Sequence, residues 1–385
     1  MMTDQSRSCG YGDWVTRLLL VAMTTMVAAV MLVGASGCTQ APKGSDSTTT
    51  TTASSSTTST LAELPEAVSP AEGVAARVGM SVVHVQVEGV AAGAFGNQRY
   101  RAEGSGVILS SDGMIVTNNH MVSKDGQPVD AITVELATGE KLPATIVGRD
   151  PLTDLAVIKA EREGLPAASF LEDLSGVRPG QYAIAIGSPL GYSNSVTLGV
   201  VSGLHREIPA PGAEGMALID LIQTDAAISP GNSGGALVDA KGRVIGVNVA
   251  YLPPGQTGAQ DVGFAIPADV VVDIANQIVK TGHARHPYVG IQTVTVTEEL
   301  QQRFNLTRSA GVLVAEVGSG TPAQDAGLKR GDIIMEIDGE VIADDSDLFT
   351  TLRNREIGET IQLVVDRQGK DAQVEIKLGE RPTSE

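Results

Sequence analysis

From residue 66 to 267 the apolar positions fall in short Val/Ile-rich runs: 81–87, 105–109, 114–117, 132–136, 144–148, 155–159, 182–186, 196–204, 221–224, 236–238, 244–250 and 262–266. Turn signals such as Ser111-Asp112-Gly113 and Lys241-Gly242 separate them. Runs of this length and spacing predict strands, and a dozen with few helical intervals predict closed barrels or a sandwich. The period changes over 268–281, where apolar residues at 270, 271, 274, 275, 278 and 279 make one helical stripe that Gly282 ends. A second module begins near 286. Strands are expected at 311–317 and 333–337, a short helix from Thr321-Pro322 to the stop at Gly327, and a hairpin turn at Asp338-Gly339. A helix at 346–354 and a closing hairpin, 360–366 with 372–378, complete an α+β domain of about 95 residues.

The N-terminal pattern is different. Residues 18–34 are uncharged and mostly apolar, Arg17 precedes them, and Ala35-Ser36-Gly37-Cys38 follows. This has the form of a secretory leader, with small residues before a cysteine as in a bacterial lipobox, so that Cys38 is the expected lipid attachment. The other reading is an uncleaved anchor, since about 20 apolar residues can span a bilayer. Both place the rest of the chain outside the cytoplasm, tethered to the membrane. Residues 44–60 are Ser and Thr with almost nothing to bury, a flexible tether. The expected divisions are 1–38 leader, 39–65 tether, 66–282 first folded domain and 283–385 second.

Composition narrows the classes. The 385 residues are 42% apolar but only 3% aromatic, so the core must be aliphatic. Net charge is −18, with 45 acidic against 27 basic residues. Such a balance argues against binding nucleic acid. The only two cysteines, Cys9 and Cys38, flank the apolar stretch, which excludes a disulfide framework and a Cys-rich zinc site. His283-Ala284-Arg285-His286 offers two histidines with no carboxylate or thiol beside them in sequence, a weak metal pattern that is set aside.

The sharpest segment is Thr224-Asp225-Ala226-Ala227-Ile228-Ser229-Pro230-Gly231-Asn232-Ser233-Gly234-Gly235. A nucleophilic serine needs a base and oxyanion donors, and glycines around it let the backbone aim N–H groups inward. Ser233 is the candidate nucleophile, with the N–H groups of Gly231 and Ser233 as the oxyanion pair. His120 ends the strand Ile115–Asn118, and Asp154 precedes the apolar run 155–159. Singly each has a bland reading: a turn residue, a strand cap, a Gly-rich loop. Together, in the order His120, Asp154, Ser233 and in a β context, they match the chymotrypsin order of a serine-protease triad. Gly231-Asn232-Ser233-Gly234-Gly235 also fits G-x-S-x-G, but an α/β-hydrolase needs a helix after the serine and a histidine later in the chain. Here a strand follows, and the later His283 and His286 lie in a linker.

The segments Thr117-Asn118-Asn119-His120, Asp150–Val157 and Thr224–Gly235, with the leader and C-terminal module, resemble the HtrA/Deg family of trypsin-like serine proteases carrying a PDZ domain. The resemblance implies a mostly β, chymotrypsin-like pair of six-stranded barrels plus a small α+β PDZ domain. It implies an endopeptidase that cleaves misfolded or regulatory envelope proteins without ATP, metal or other cofactor, with a homotrimer as the expected assembly. It also implies a first substrate pocket lined by Ala227, Asn248, Val249, Ala250 and Tyr251. With no acid there, a Lys or Arg side chain would be buried unpaired, so small or medium aliphatic residues are expected before the cut. Tyr288-Val289-Gly290-Ile291 resembles a PDZ carboxylate loop. A C-terminal peptide would then add as a strand beside 291–295, against Leu348 and Leu352. The rival class is a non-cleaving chaperone or scaffold on a protease fold.

Overall fold

The computed structural model describes residues 69–93, 96–188, 195–210, 217–251 and 262–382. The expected leader, Cys38 and the Ser/Thr tether lie outside these residues.

The described chain starts with helix α1 (Pro70–Val78), in a stretch where the sequence pattern predicts no helix. Local chemistry explains it. Ser69 caps the start by accepting from the Ala71 N–H, proline occupies the first turn, and Glu72 faces the positive end of the helix dipole. Val74 and Val78, four apart and so on one face, are buried.

Strands β1 (Val82–Gly93), β2 (Gly96–Ile108) and β3 (Met114–Asn118) follow. After them come the one-turn α2 (Asn119–Val122), the small hairpin β4 (Ser123–Lys124) and β5 (Gln127–Pro128), then β6 (Ala131–Glu135), β7 (Lys141–Asp150) and β8 (Leu155–Ala160). They close as a barrel in the order β1-β2-β3-β8-β7-β6. The β1–β2 ladder runs past the apolar pattern, continuing through polar residues to the Gly93–Gly96 pair.

A second barrel, in the order β10-β11-β14-β13-β12-β9, is built from β9 (Tyr182–Gly187), β10 (Ser195–Pro209), β11 (Ala217–Thr224), β12 (Ala236–Val238), β13 (Val244–Tyr251) and β14 (Gly263–Pro267). Alternation explains why several strands are apolar on both faces. Val83, Ile108, Ile115 and Ile158 pack within the first barrel, while their neighbours Val82, Val107, Val116 and Val157 join a core shared with Ile184, Ile186 and Ile266 of the second. Helix α3 (Ala268–Thr281) adds Val271, Ile274 and Ile278 to the same core. Gly282 ends it at φ 84°, with its N–H on the Ile278 carbonyl, a left-handed cap that glycine adopts without strain.

The C-terminal module contains β15 (Pro287–Tyr288), β16 (Ile291–Thr295), α4 (Glu298–Phe304), β17 (Val312–Val317), α5 (Pro322–Asp325), β18 (Ile333–Ile337), β19 (Glu340–Val341), α6 (Asp345–Arg353), β20 (Thr360–Asp366), β21 (Asp371–Lys377) and β22 (Gly379–Glu380). Its main sheet runs β16-β17-β18-β20-β21, which leaves β16 at an edge, and β15 pairs with β22. Of its helices, α4 has no counterpart in the sequence expectations; no residue of it is buried, so no apolar stripe announces it.

Asp366 is buried at the end of β20. Burial pushes its carboxyl up, but hydrogen bonds from Arg308, the Gly369 N–H and Thr307 outweigh this and hold it below the usual aspartate value. A carboxylate depressed in the folded state stabilises above its unfolded pKa, and that stabilisation is lost as pH falls. The module's urea midpoint should therefore drop as pH falls below about 4. In Asp366→Asn it should be lower at neutral pH and respond less to acid; equal acid responses would contradict the ion-pair account.

Candidate active site

The first barrel presents His120 and Asp154. Strand β3 ends at Asn118 and the chain turns into α2, which carries His120 half-buried. Asp154 sits at the tight turn before β8 with φ 56°, a left-handed conformation rare outside glycine. Several hydrogen bonds hold it there. The Asn119 N–H and the Asn118 side-chain amide donate to its carbonyl, and the His120 N–H donates to Oδ1 at 2.9 Å. His120 Nδ1 lies 2.7 Å from Asp154 Oδ2. The buried carboxylate thus sets both the backbone and the ring of the histidine. Nδ1 is directed at the carboxylate, which leaves Nε2 as the nitrogen free for a proton.

The second barrel presents the serine. Residues Ser229-Pro230-Gly231-Asn232 form a turn closed by the Asn232 N–H on the Ser229 carbonyl, 2.9 Å. Proline second and glycine third at φ 99° are what a type II turn requires. No described residue accepts a hydrogen bond from the N–H of Gly231 or of Ser233. Ser233 Oγ donates to the Val249 carbonyl at 3.2 Å, and no hydrogen bond joins it to His120. Among described residues, then, the site holds an imidazole–carboxylate pair, a hydroxyl and two uncommitted backbone donors.

Of the residues expected to line the first pocket, Ala227 is exposed and Val249 is buried with its carbonyl on Ser233. Asn248 is fully buried, with its side-chain amide on the Ala236 carbonyl, so it braces the strand pair β12–β13. The side chains of Ala250 and Tyr251 lie outside the described residues, as does the loop that follows. Sequence reasoning overlooked Thr197, whose hydroxyl fixes the Ala227 carbonyl at 3.0 Å, and Gly263, where a Cβ would meet Ile228 at 2.4 Å. It also overlooked Ser105, whose N–H holds the Ser233 carbonyl at 2.8 Å. The signal was there: Gly104-Ser105-Gly106 inside a strand marks a close approach of another backbone.

In the C-terminal module a groove of about 340 Å³ runs between the β16 edge and α6. Tyr288, Val289, Gly290, Ile291, Leu348 and Leu352 all line it. Gly290 has φ 87°, and a Cβ there would meet Thr321 at 2.3 Å. No described residue accepts from the Val289 or Gly290 N–H. The linker histidines are otherwise engaged: His286 Nε2 lies 3.0 Å from both carboxylate oxygens of Asp150, and His283 faces the Thr281 carbonyl.

Comparison with known proteins agrees with the fold of two barrels and a C-terminal module. A family profile described as trypsin-like peptidase domain matches residues 104–247, and one described as PDZ domain matches residues 287–378. The putative serine protease HhoB of Synechocystis sp. is 39% identical over 292 residues, which cover 74% of this chain and 68% of that protein. Among solved structures, the HtrA-type protease AlgW with decapeptide superposes with TM-score 0.66 at 33% identity, covering 82% of this chain and 100% of that one. The chain belongs to the HtrA-type serine proteases. A probable periplasmic serine endoprotease, DegP-like, from Pseudomonas putida is 39% identical over 279 residues, 72% of this chain. The HtrA-type chain described here spans only 56% of that relative's length. The serine endoprotease from Yersinia pestis superposes with TM-score 0.60 at 29% identity, over 83% of this chain and all of that one.

The serine loop's conformation has a direct test. Gly234 has φ 80°, and a Cβ there would lie 2.1 Å from the Ser105 carbonyl oxygen. The backbone conformation alone costs an alanine about 1–2 kcal/mol, and the clash adds to it. Gly234→Ala should therefore lower the unfolding free energy by at least that much in urea titration; an unchanged midpoint would mean the loop is not held as described.

Proposed function

We propose that the chain is a tethered, extracytoplasmic serine endopeptidase that cleaves unfolded or regulatory proteins without ATP or metal. The observation that carries this is the 2.7 Å His120–Asp154 pair on one barrel, together with Ser233 on the other in a loop whose Gly231 and Ser233 N–H groups have no described acceptor. In this reading Ser233 Oγ leaves the Val249 carbonyl and attacks the scissile carbonyl carbon as His120 Nε2 takes its proton. The oxyanion accepts from the Gly231 and Ser233 N–H groups. His120 returns the proton to the leaving amine as the C–N bond breaks, and water then repeats the sequence on the acyl-enzyme. The Asp154 carboxylate fixes the tautomer and balances the imidazolium.

The pocket reading rests on Ala227 and the buried Val249, with no acidic side chain among the expected lining residues. It favours Val, Ala or Ile before the cut. The PDZ reading rests on the groove beside β16 and the uncommitted N–H groups of Val289 and Gly290, which suit a terminal carboxylate. Location outside the cytoplasm rests on the leader pattern and on the relatives named periplasmic; the anchor is Cys38 lipidation or the apolar segment itself. A homotrimer is the assembly proposed from the family resemblance.

Full-length chain in detergent should cut casein, and sequencing the new ends should find Val, Ala or Ile before the cuts. Ser233→Ala should lower turnover by several orders of magnitude while its melting curve is unchanged. Cleavage that survives the substitution would sink the assignment, and cuts after Arg would sink the pocket. C-terminal peptides added to the same reaction test the groove, by changing the rate or competing for binding.

A further inference from the structure

Ser105 lies in mid-strand on β2 of the first barrel and is completely buried. Its hydroxyl donates to the Gly231 carbonyl at 2.7 Å and accepts from the Ser188 N–H at 2.8 Å. Its own N–H donates to the Ser233 carbonyl at 2.8 Å, and its carbonyl accepts from Thr117 Oγ1 at 2.7 Å. Thr117 belongs to β3, the strand that ends beside His120. One residue therefore links the strand that leads into the His120 helix to three backbone groups on the side of the other barrel. Two of these flank Asn232, so they bracket the segment that carries both proposed oxyanion donors.

We propose that Ser105 is a positioning residue that sets the oxyanion loop against His120 across the junction of the barrels; this rests on the endopeptidase reading above. The physical need is clear. His120 and Asp154 belong to the first barrel, Gly231 and Ser233 to the second, and the apolar contact between barrels is non-directional. Hydrogen bonds are directional, and these start from a fully buried serine. The Ser105 backbone bond fixes the carbonyl of Ser233, the nucleophile residue itself. The hydroxyl bond fixes the carbonyl of Gly231, the residue whose positive φ aims its N–H. The Ser188 bond ties both to the end of β9. Without the hydroxyl, Gly231 keeps its turn but loses its attachment to the barrel that carries the base. The oxyanion donors then sample positions away from the developing charge. Such a loss falls on the transition state and not on ground-state binding.

The test measures Ser105→Ala in the full-length chain beside wild type and Ser233→Ala. A peptide amide with Val before the cut gives kcat and KM per folded molecule, with folding followed by circular dichroism. A peptide boronic acid, whose tetrahedral adduct places an oxygen in the oxyanion site, reports the donors directly. The expected result is a ten- to hundredfold fall in kcat, KM within about twofold, and a fall in boronate affinity comparable with that in kcat. A kcat within twofold of wild type, or a lower kcat with unchanged boronate affinity, would overturn the role of Ser105. Ser105→Cys, which nearly preserves volume but weakens both hydroxyl bonds, is made in parallel. Should the alanine variant not fold, a cysteine variant with kcat reduced at least threefold and KM unchanged supports the role, and an unchanged kcat overturns it. Wild type that neither hydrolyses the amide nor binds the boronate would remove the endopeptidase reading and this role together. Active wild type beside an equally active Ser105→Ala would remove only the latter.

Discussion

The junction of the two barrels is the constraint on which the rest of this structure depends, because neither barrel holds a complete site. One contributes the imidazole and carboxylate, the other the hydroxyl and the backbone donors. The junction is aliphatic: Val82, Val107, Val116 and Val157 belong to the same core as Ile184, Ile186 and Ile266. Burying such a side chain is worth about 1.5–3 kcal/mol, so the barrels adhere strongly. Adhesion of this kind does not select an angle or an offset. Helix α3 narrows the choice by packing Val271, Ile274 and Ile278 into the shared core. At its end the Gly282 carbonyl comes so close to Gly148 on β7 that a Cβ there would sit 2.2 Å away. Ser105 adds the directional bonds that apolar contact lacks.

This division of labour explains what the sequence disclosed. Alternation along the strands was legible because each barrel strand meets one environment per face, and the twelve runs correspond to the twelve barrel strands. The helix over 268–281 was legible because its stripe and its glycine stop are local. His120, Asp154 and Ser233 stood out because their residue types are chemically unusual at strand ends and in a glycine-rich loop. Ser105 did not, since a serine in a strand is ordinary until its partner is known, and Gly231 lies 126 residues away. Asn118 was hidden for the same reason: it reaches Asp154 across 36 residues. Helix α1 escaped because nine residues with two buried valines give too short a stripe to distinguish from a strand.

The low aromatic content shapes the solution as well. Without large rings to fill space, the cores depend on β-branched side chains in strands, where their stiff rotamers suit a pleated surface. Small residues then let backbones approach closely. Gly104 is an example, since a Cβ there would meet Met121 and the Ser233 carbonyl at 2.7 and 3.1 Å respectively. Close backbone approach is also what holds the proposed oxyanion loop against β2, so the aliphatic core and the placement of that loop are consequences of one packing style.

The same logic extends to the C-terminal module, which meets the protease domain at the turn of chain before β8 and again along α6. His286, in the linker, bonds both carboxylate oxygens of Asp150, and Thr153 donates to one of them. Leu152, between them, lines the groove beside β16 together with Ile219 of β11. Asp154 follows immediately, at positive φ, with its carbonyl held by Asn118 and Asn119. Arg353, at the end of the groove helix α6, pairs with Asp269 at the start of α3 at 2.9 Å. A ligand in the groove that displaced Leu152 would therefore work against the His286–Asp150 bond and the two bonds on the Asp154 carbonyl at once. These bonds lie within five residues of one another, so they act on one short piece of chain. The groove and the proposed catalytic carboxylate are separated by one hydrogen-bonded turn, Asp150 to Asp154, so the C-terminal module and the residue that holds His120 share one short piece of chain.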